Sequence, residues 1–301
     1  MVFSSKGMRG FFQAPIIFGI SKLLPKNFIN VGIQSIGFVW DRIDSFRGQQ
    51  TDLLPPFALR MEVNSQFRAS SYEAYGREFR NYFITLCNLK KDARVLDVGC
   101  GTGIIAATLT EYLNSKGSYD GFDIDKSRIN WCSENITANY PNFRFKLINI
   151  YNGKYNPDGR KKASTFKFPY QDYSFDLVIL SSVFTHMLPG DVENYVTEIR
   201  RVMKAGGKSL ITYLLVNHTQ IGLEKRKLSS LNLQYSFKHY KTISLPEDNS
   251  TYEEAVAYNE DYIRRLYIKK GLRIDEPIHY GAWSGRTKFL GKQDIVVATK
   301  V

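Results

Sequence analysis

A glycine-rich segment and an acid downstream of it are the residues of this sequence best suited to chemistry. Residues 97–103 read DVGCGTG and stand between an apolar, strand-like run and a helix-like run. Glycines at such a junction permit a tight turn, let a ligand approach the backbone and leave the helix N-terminus open to an anionic group. Asp123 lies 20 residues after Gly103, at the end of the next strand-like run, where a carboxylate can accept both hydroxyls of a ribose. The spacing predicts a nucleoside-binding turn, with a purely structural turn as the alternative.

Two better-known nucleotide motifs do not fit this glycine spacing. Ile104 stands where a dinucleotide fingerprint would have its third glycine, and the segment lacks the Gly-Lys-Ser/Thr of a phosphate-binding P-loop. Asp125 competes with Asp123 for the ribose, but its position directly before a helix suits an N-terminal cap. We therefore favour Asp123.

The end of a third strand-like run offers a contact for a base. Asn149 stands there and can hydrogen-bond an adenine edge, while Ile124 and Ile150 could enclose the ring. A turn residue is the alternative interpretation of Asn149, and the two stay open.

Alternating strands and helices must position these residues. Apolar runs predict strands at 94–98, 119–123, 143–149, 175–180 and 208–215, and helical periods predict helices at 103–113, 126–137 and 191–203. This alternation indicates βαβ units, a parallel sheet and an α/β fold. After a further helix at 259–270, the runs 272–280 and 293–300 have no helix between them, which predicts an antiparallel hairpin at the edge of the sheet.

Four blocks of this sequence, in order, resemble the class I S-adenosylmethionine (SAM) dependent methyltransferases, bacterial members in particular. They lie at 95–103 (VLDVGCGTG), 121–125 (GFDID), 168–178 (FPYQDYSFDLV) and 198–207 (EIRRVMKAGG). The resemblance covers about residues 90–217 and, weakly, the C-terminal strands. It implies a Rossmann-like sheet of seven strands, mostly parallel, with SAM bound across the carboxyl ends of the strands.

The resemblance also implies roles for individual residues. By position, Asp97 and the backbone of 99–103 would hold the methionine portion of SAM, Asp123 the ribose, and Asn149 with Ile150 the adenine. Many members have Asp where Asn149 stands, so the charge is lost here but a carbonyl acceptor is kept. The full set of candidate cofactor-binding residues is Asp97, Gly99, Cys100, Gly101, Gly103, Asp123, Ile124, Asn149, Ile150 and Ser181.

Methyl transfer from a sulfonium is an in-line displacement. It needs orientation and exclusion of water, but neither a metal nor a covalent nucleophile, and we expect no metal site. For some oxygen or nitrogen acceptors, a base must also remove a proton. His186, just beyond the fourth strand, is our candidate catalytic residue; the alternative is a structural histidine that anchors its loop.

The residues at the end of the fourth strand narrow the class of acceptor. Residues 180–183 read LSSV and lack the Asn/Asp-Pro-Pro-Tyr associated with amino methylation, and no Pro-Cys pair supports cytosine C5 chemistry. We expect a hydroxyl or carboxyl acceptor on a small molecule, sugar or lipid, anionic if the basic runs 160–162 and 225–227 flank the cleft. The alternatives are a SAM-binding protein without catalysis, or a methyltransferase acting on nucleic acid or protein. Side chains that could build the acceptor pocket are Tyr72, Tyr75, Tyr280, Trp283 and Arg286.

The composition excludes several protein classes. Among the 301 residues, 43% are hydrophobic and 23% charged, which excludes a disordered, collagen-like or many-spanning membrane protein. The net charge of +12 attracts anions without choosing among them, and nucleic acid is not the expected partner because no RNA-binding signature is present. Three cysteines without CxxC spacing argue against a zinc site or a disulfide framework and favour a reducing cytoplasm.

The N-terminal zone stands apart from the βα pattern. We expect residues 1–65 to form a helical cap or a membrane-surface segment, and residues 66–301 the methyltransferase domain. Within the first zone, residues 10–40 interleave apolar side chains with lysines. They could lie on acidic lipid as peripheral membrane contact, or pack over the active site as a lid, which we favour.

Overall fold

The computed structural model describes residues 39, 41–43, 53–61, 68–153, 155–230, 242–244 and 256–301. The segment 10–40 lies almost entirely outside these residues, as does most of the expected 1–65 cap, so both stay predictions. None of the described helices combines the length and the apolarity that crossing a membrane requires.

The described part of the chain alternates helices and strands. The α-helices are α1 (Phe57–Met61), α2 (Ala69–Cys87), α3 (Ile104–Leu109), α4 (Lys126–Cys132), α5 (Pro189–Val202), α6 (His218–Lys225) and α7 (Glu260–Lys269). The strands are β1 (Arg94–Val98), β2 (Ser118–Asp123), β3 (Phe143–Leu147), β4 (Phe175–Leu180), β5 (Met203–Tyr213), β6 (Leu215–Val216), β7 (Thr242–Ser244), β8 (Val256–Asn259), β9 (Leu272–Ile274) and β10 (Asp294–Lys300).

Seven of the strands form one sheet in the order β3-β2-β1-β4-β5-β10-β9. All are parallel except β10, which runs antiparallel to both β5 and β9. The Rossmann-like fold and the antiparallel hairpin at the edge are thereby confirmed. Because β1 pairs with β2 on one side and with β4 on the other, the strand order reverses there, and a crevice opens beyond the carboxyl ends of these strands.

The central strands are apolar because helices cover both faces of the sheet. Leu177, Val178 and Ile179 of β4 are all buried, as a strand covered on both sides requires. Helix α2 packs through Phe79 and Phe83 into the cluster on one face, and α5 packs through residues spaced four apart into the cluster on the other. This double covering fixes the register of β1 and β4, whose ends carry the site.

Some predicted boundaries are wrong. The strand expected at 143–149 ends at Leu147, and the one expected at 272–280 ends at Ile274. Beyond Ile274, Asp275 N still donates to the Val297 carbonyl of β10, and the chain pairs with β10 again at His279. Pro277 has no N–H with which to continue a ladder. A three-stranded sheet of β6, β8 and β7 was not predicted, because strands of two to four residues carry too little periodicity.

Candidate functional site

A cleft with a cavity volume of about 200 Å³ opens at the carboxyl ends of β1, β2 and β4. The turn after β1 forms one wall, and the loops after β2, β3 and β4 form the others together with helix α5. Several predicted site residues therefore meet in one place although they are far apart in sequence. The candidate residues that line the cleft are Gly99, Gly101, Asp123, Ile124, Ile150, Ser181 and His186.

The glycine turn has a backbone that side chains would obstruct. Gly99, Gly101 and Gly103 have φ of +78°, +53° and +73°, which favour glycine. A Cβ on Gly99 would lie 2.5 Å from Cγ2 of Val183, which also lines the cleft. The turn thus leaves an open cradle at the N-terminus of α3.

Replacement of Gly99 by alanine will destabilise the fold and weaken binding of the SAM that the resemblance implies, because the new methyl group must displace Val183. Gly206→Ala is the matched control: its φ is +72°, but no atom lies within 4 Å of its added Cβ. We expect Gly206→Ala to cost about 1–2 kcal/mol of backbone strain only. Urea unfolding and calorimetry with SAM check both variants, and equal SAM affinities would contradict the cradle.

Asp123 ties the glycine turn to the end of β2. Its Oδ2 accepts a hydrogen bond from Gly101 N at 2.8 Å, and its Oδ1 accepts one from Asp125 N at 3.0 Å. Burial raises the pKa of Asp123, and the two backbone hydrogen bonds and nearby Arg128 oppose that rise. A carboxylate has about four acceptor positions, so both oxygens keep capacity for ligand hydroxyls.

Asp125, the competing acid, caps helix α4. Its Oδ1 accepts hydrogen bonds from Ser127 N at 2.8 Å and Arg128 N at 3.1 Å. Partial burial acts to raise its pKa, but a hydrogen bond from the Ser127 hydroxyl, the two backbone hydrogen bonds and Arg128 lower it on balance. The predicted capping role is confirmed, although Asp125 also lies on the wall of the cleft.

Asp97 lies buried at the end of β1, behind the glycine turn. Its Oδ2 accepts a hydrogen bond from the Tyr119 hydroxyl at 2.6 Å, while its Oδ1 has no hydrogen-bond partner among the described residues. Burial raises the pKa of Asp97 to about 7. An orphaned buried carboxylate oxygen next to an open cradle fits a ligand that carries an ammonium group.

Two further residues of the glycine turn, Cys100 and Gly103, pack against the protein interior and not against the cleft. Cys100 packs beneath Gly121, where a Cβ would come within 2.9 Å of the Cys100 sulfur, and Gly103 lies against Cys132 and Ile136. Neither residue lines the cleft, so their role in cofactor binding stays a prediction. All three cysteines are buried free thiols.

The cleft lining also includes apolar side chains. Ile124 and Ile150 line it, as the expected adenine enclosure requires. Asn149 does not line it: its Oδ1 accepts a hydrogen bond from Arg160 N at 3.3 Å, and its carbonyl accepts one from Lys161 N at 3.0 Å. This geometry favours the turn interpretation of Asn149, and the adenine contact stays a prediction.

Sequence reasoning missed several residues of the cleft wall. Tyr155 comes from the loop after β3, and Asp191 and Tyr195 lie one turn apart on α5. The spacing of four between Asp191 and Tyr195 was a signal that could have placed them on one helix face.

His186 lies in a short helical turn, Phe184–His186, just after β4. The backbone N–H of His186 donates to the Val183 carbonyl at 2.9 Å, and the backbone carbonyl of His186 accepts from Nδ2 of Asn152 at 3.0 Å. Its ring meets that of Tyr155 edge-on, 5.2 Å between centroids. The backbone thus holds the imidazole on the cleft wall.

Ser181 is the contact between the cleft and helix α2. Its Oγ and the Tyr75 hydroxyl share a hydrogen bond of 2.8 Å. The next residue, Ser182, has a φ of +59° and is held by hydrogen bonds to Thr212 and Gln293. Strain held in this way is common at ligand sites.

Of the residues suggested for the acceptor pocket, Tyr75 contacts the cleft through Ser181, but Tyr280, Trp283 and Arg286 pack elsewhere. Trp283 Nε1 donates to buried Asp294 at 2.8 Å, and Arg286 stacks 4.1 Å over the ring of Tyr280.

Of the two basic runs, 160–162 adjoins the cleft through the pairing of Lys161 with Ile150. The run 225–227 contributes no residue to the cleft lining.

Among the residues that the structure describes, no group of three or more His, Cys, Asp or Glu side chains could hold a metal ion.

Known proteins are similar to this chain over the part that carries the cleft. A family model described as a methyltransferase domain matches residues 89–255, more than half of the chain. The chain is 27% identical over 135 residues to a ubiquinone/menaquinone biosynthesis C-methyltransferase (UbiE) of Xanthomonas oryzae, covering 45% of this chain and 47% of that protein. It is 25% identical over 134 residues to a demethylmenaquinone methyltransferase of Bacillus pumilus, covering 44% and 49%. The chain thus matches about half the length of these curated relatives.

Among solved structures, the PH0226 protein from Pyrococcus horikoshii has a similar fold. The TM-score is 0.52 at 19% sequence identity, and the match covers 79% of this chain and 93% of that one. This likeness shows the fold alone.

Proposed function

The chain belongs to the class I SAM-dependent methyltransferase family, and from this premise we propose that it transfers the methyl group of SAM to a small-molecule acceptor. The observation that carries the proposal is the open glycine cradle between two buried acids. Asp123 closes the turn from the β2 side, and Asp97 offers an unpartnered oxygen from behind it.

The residues present fit SAM. We assign the ribose to Asp123, the ammonium to Asp97 with the backbone of 99–103, and the adenine to the surface of Ile124 and Ile150. SAM supplies an electrophilic methyl group on a sulfonium. The chain contributes orientation and exclusion of water, because its two acids and its glycine turn are fixed before a ligand arrives.

The acceptor that we propose carries a hydroxyl or carboxyl group, on a small molecule, sugar or lipid. A hydroxyl must lose its proton during transfer, and the His186 imidazole on the cleft wall is the base that we propose for that step. The adjoining basic run 160–162 supports an anionic acceptor.

A second candidate acceptor is a ring carbon of a quinone precursor. The two relatives named above support it, since their names describe C-methylation in ubiquinone and menaquinone biosynthesis and demethylmenaquinone methylation. The chemistry of the product separates the candidates. A methyl ester releases methanol in mild base, a methyl ether releases iodomethane in hydriodic acid, and a C-methyl group does neither.

His186→Ala will lower kcat by about 100-fold or more for a hydroxyl acceptor and leave the affinity for SAM unchanged, because only the proton transfer is lost. The measurement is transfer of tritiated methyl from SAM to small molecules of a cell extract, followed by the three product tests. His218→Ala, an exposed histidine that does not line the cleft, is the control. Unchanged turnover in His186→Ala would remove His186 from catalysis. Tight SAM binding without transfer by the unaltered protein would instead indicate a binding protein.

A further inference from the structure

A second, smaller cavity lies beside the cleft. Its volume is about 80 Å³, and it opens between helix α2, the end of β5 and the residues that precede β10. Four residues of α2 line it, and their spacing of three, four and seven places them on one face of the helix: Tyr75, Glu78, Phe79 and Tyr82. The cavity admits the edge of a ring and not a whole molecule of SAM.

Ser182 joins the second cavity to the cleft, because it lines both. The Tyr75 hydroxyl on the wall of the second cavity also shares a hydrogen bond of 2.8 Å with Ser181 of the cleft. Our assignment of SAM uses the carboxyl ends of β1, β2 and β3, whereas Ser181 and Ser182 follow β4. An acceptor that approaches SAM from the β4 side therefore reaches the second cavity as well.

A chain of hydrogen bonds fixes the amide of Gln293 on the wall of this cavity. The backbone N–H of Ser182 donates to Oγ1 of Thr212 at 2.8 Å, and the Thr212 hydroxyl donates onward to Oε1 of Gln293 at 2.6 Å. The Ser182 hydroxyl donates to the same oxygen at 3.1 Å. Because a backbone N–H donates and does not accept, the chain has one direction. Nε2 of Gln293 is left as a donor without a partner among the described residues.

Two exposed side chains of opposite charge also line the second cavity. Glu78 accepts a hydrogen bond at Oε1 from the Tyr82 hydroxyl, and its Oε2 has no hydrogen-bond partner among the described residues. Lys292 forms no ion pair within the described part of the chain. The cavity thus offers one acceptor group, the Glu78 carboxylate, and two donors, Lys292 and Nε2 of Gln293.

This set of groups suits hydroxyls better than any charged or apolar group. Glu78 would repel a carboxylate, Lys292 would repel an ammonium, and an apolar group would cover polar atoms without replacing their hydrogen bonds to water. A hydroxyl both donates and accepts. Two neighbouring hydroxyls can therefore donate to Glu78 and accept from Gln293 and Lys292.

We propose that the second cavity binds two neighbouring hydroxyl groups of the methyl acceptor, with Gln293 and Glu78 as specificity-determining residues. The inference rests on the proposed function and narrows its acceptor to a polyhydroxylated molecule, such as a sugar or a cyclic polyol. The two bound hydroxyls orient the acceptor, and the group that receives the methyl lies in the cleft.

Gln293→Glu tests the proposal at one atom. It keeps Oε1 as the acceptor for Thr212 and Ser182, but it replaces the Nε2 donor by an oxygen. Protein loaded with S-adenosylhomocysteine is mixed with the small molecules of a cell extract, and mass spectrometry identifies those that the protein retains on ultrafiltration. We expect the unaltered protein to retain polyhydroxylated molecules and Gln293→Glu to bind them about tenfold more weakly or worse. Gln171→Glu, an exposed glutamine that lines neither cavity, is the matched control and retains them unchanged.

Periodate supplies a chemical test of the same point, because it cleaves the carbon–carbon bond between neighbouring hydroxyls. The extract is oxidised with periodate, quenched and reduced with borohydride before the protein and S-adenosylhomocysteine are added. We expect the retained molecules to be lost after this treatment and kept after borohydride alone. If the protein retains nothing from the untreated extract, or if retention survives both periodate and Gln293→Glu, the proposal is overturned.

Glu78→Gln and Lys292→Met separate hydroxyls from charged groups by the sign of their effects. Both variants bind a polyhydroxylated molecule more weakly, since each removes one of its partners. A carboxylate would bind more tightly to Glu78→Gln and more weakly to Lys292→Met, and an ammonium would show the reverse. Either of these opposed patterns contradicts the proposal.

Transfer of tritiated methyl from SAM to the retained molecules tests the proposed function separately. A polyhydroxylated molecule that is retained but not methylated would contradict the proposed transfer and leave the assignment of the second cavity standing. Where it is methylated, we expect Gln293→Glu to raise its KM about tenfold, with kcat and the affinity for SAM little changed. If Gln293→Glu lowers Tm without changing retention or KM, Gln293 has only a structural role and the proposal fails.

Discussion

Asp123→Ala will bind SAM about 100-fold more weakly than the unaltered protein, or worse. Two hydrogen bonds from ribose hydroxyls to a carboxylate would be lost, each contributing about 1.5 kcal/mol or more. The same substitution removes the acceptor for Gly101 N, so the glycine turn loses one of the hydrogen bonds that hold it against β2. Titration calorimetry with SAM measures the loss directly.

Asp125→Ala is the matched control for that experiment. It removes a carboxylate two residues away that also lies on the cleft wall, and it costs about 1 kcal/mol of stability through the lost cap of α4. SAM affinity stays within about threefold of the unaltered value if Asp123 alone holds the ribose. Should Asp123→Ala bind SAM normally while Asp125→Ala does not, the two roles are exchanged.

The sheet core was predictable because burial on both faces leaves a clear sequence pattern. Strands β1 and β4 were predicted with their observed bounds, and both are apolar along most of their length. The glycine turn and Asp123 were predictable for a related reason. A positive φ demands glycine, and the carboxyl ends of neighbouring parallel strands meet at one edge of the sheet.

The loop after β3 was not predictable, because long-range bonds decide its course. Asn152 donates to the carbonyl of His186, 34 residues away, and Asn149 accepts from Arg160. Such pairs have no periodicity, so the sequence indicated an adenine contact and a turn equally at Asn149. The partners that a fold supplies to a side chain are a tertiary property.

Arg60 is a second residue whose surroundings the sequence does not predict. One arginine in an apolar N-terminal zone reads as an ordinary solvated residue. Only packing shows that it is completely buried and that two of its nitrogens lack partners among the described residues. Asp97 is the acidic counterpart, because its position in the glycine motif was apparent while its orphaned oxygen was not.

We expect the affinity of the protein for S-adenosylhomocysteine (SAH) to rise about tenfold per pH unit between pH 5.5 and 6.5 and to level off above pH 7. In the free protein, burial places the pKa of Asp97 at about 7, so below that pH its carboxyl is mostly neutral. An ammonium pairs with the ionised form, so at low pH a proton must leave before the pair can form. Calorimetry in buffers of different ionisation enthalpy should detect close to one proton released per SAH bound near pH 6.

Asp97→Asn separates this effect from the other carboxyl and imidazole groups that line the cleft, namely Asp123, Asp125, Asp191 and His186. We expect its SAH affinity to be weak and nearly flat from pH 5.5 to 7.5, whereas Asp125→Asn keeps the pH dependence. The stability of the ligand-free protein provides a second check, because it is expected to change with pH in the opposite direction to SAH affinity. Because the folded pKa lies above its ordinary value of 3.8, the folded state holds the proton more tightly, and stability falls as pH rises from about 4 through 7. In Asp97→Asn we therefore expect Tm to fall less than in the unaltered protein over this pH range. If the pH dependence of binding persists in Asp97→Asn, another group carries it, and Asp97 does not hold the ammonium.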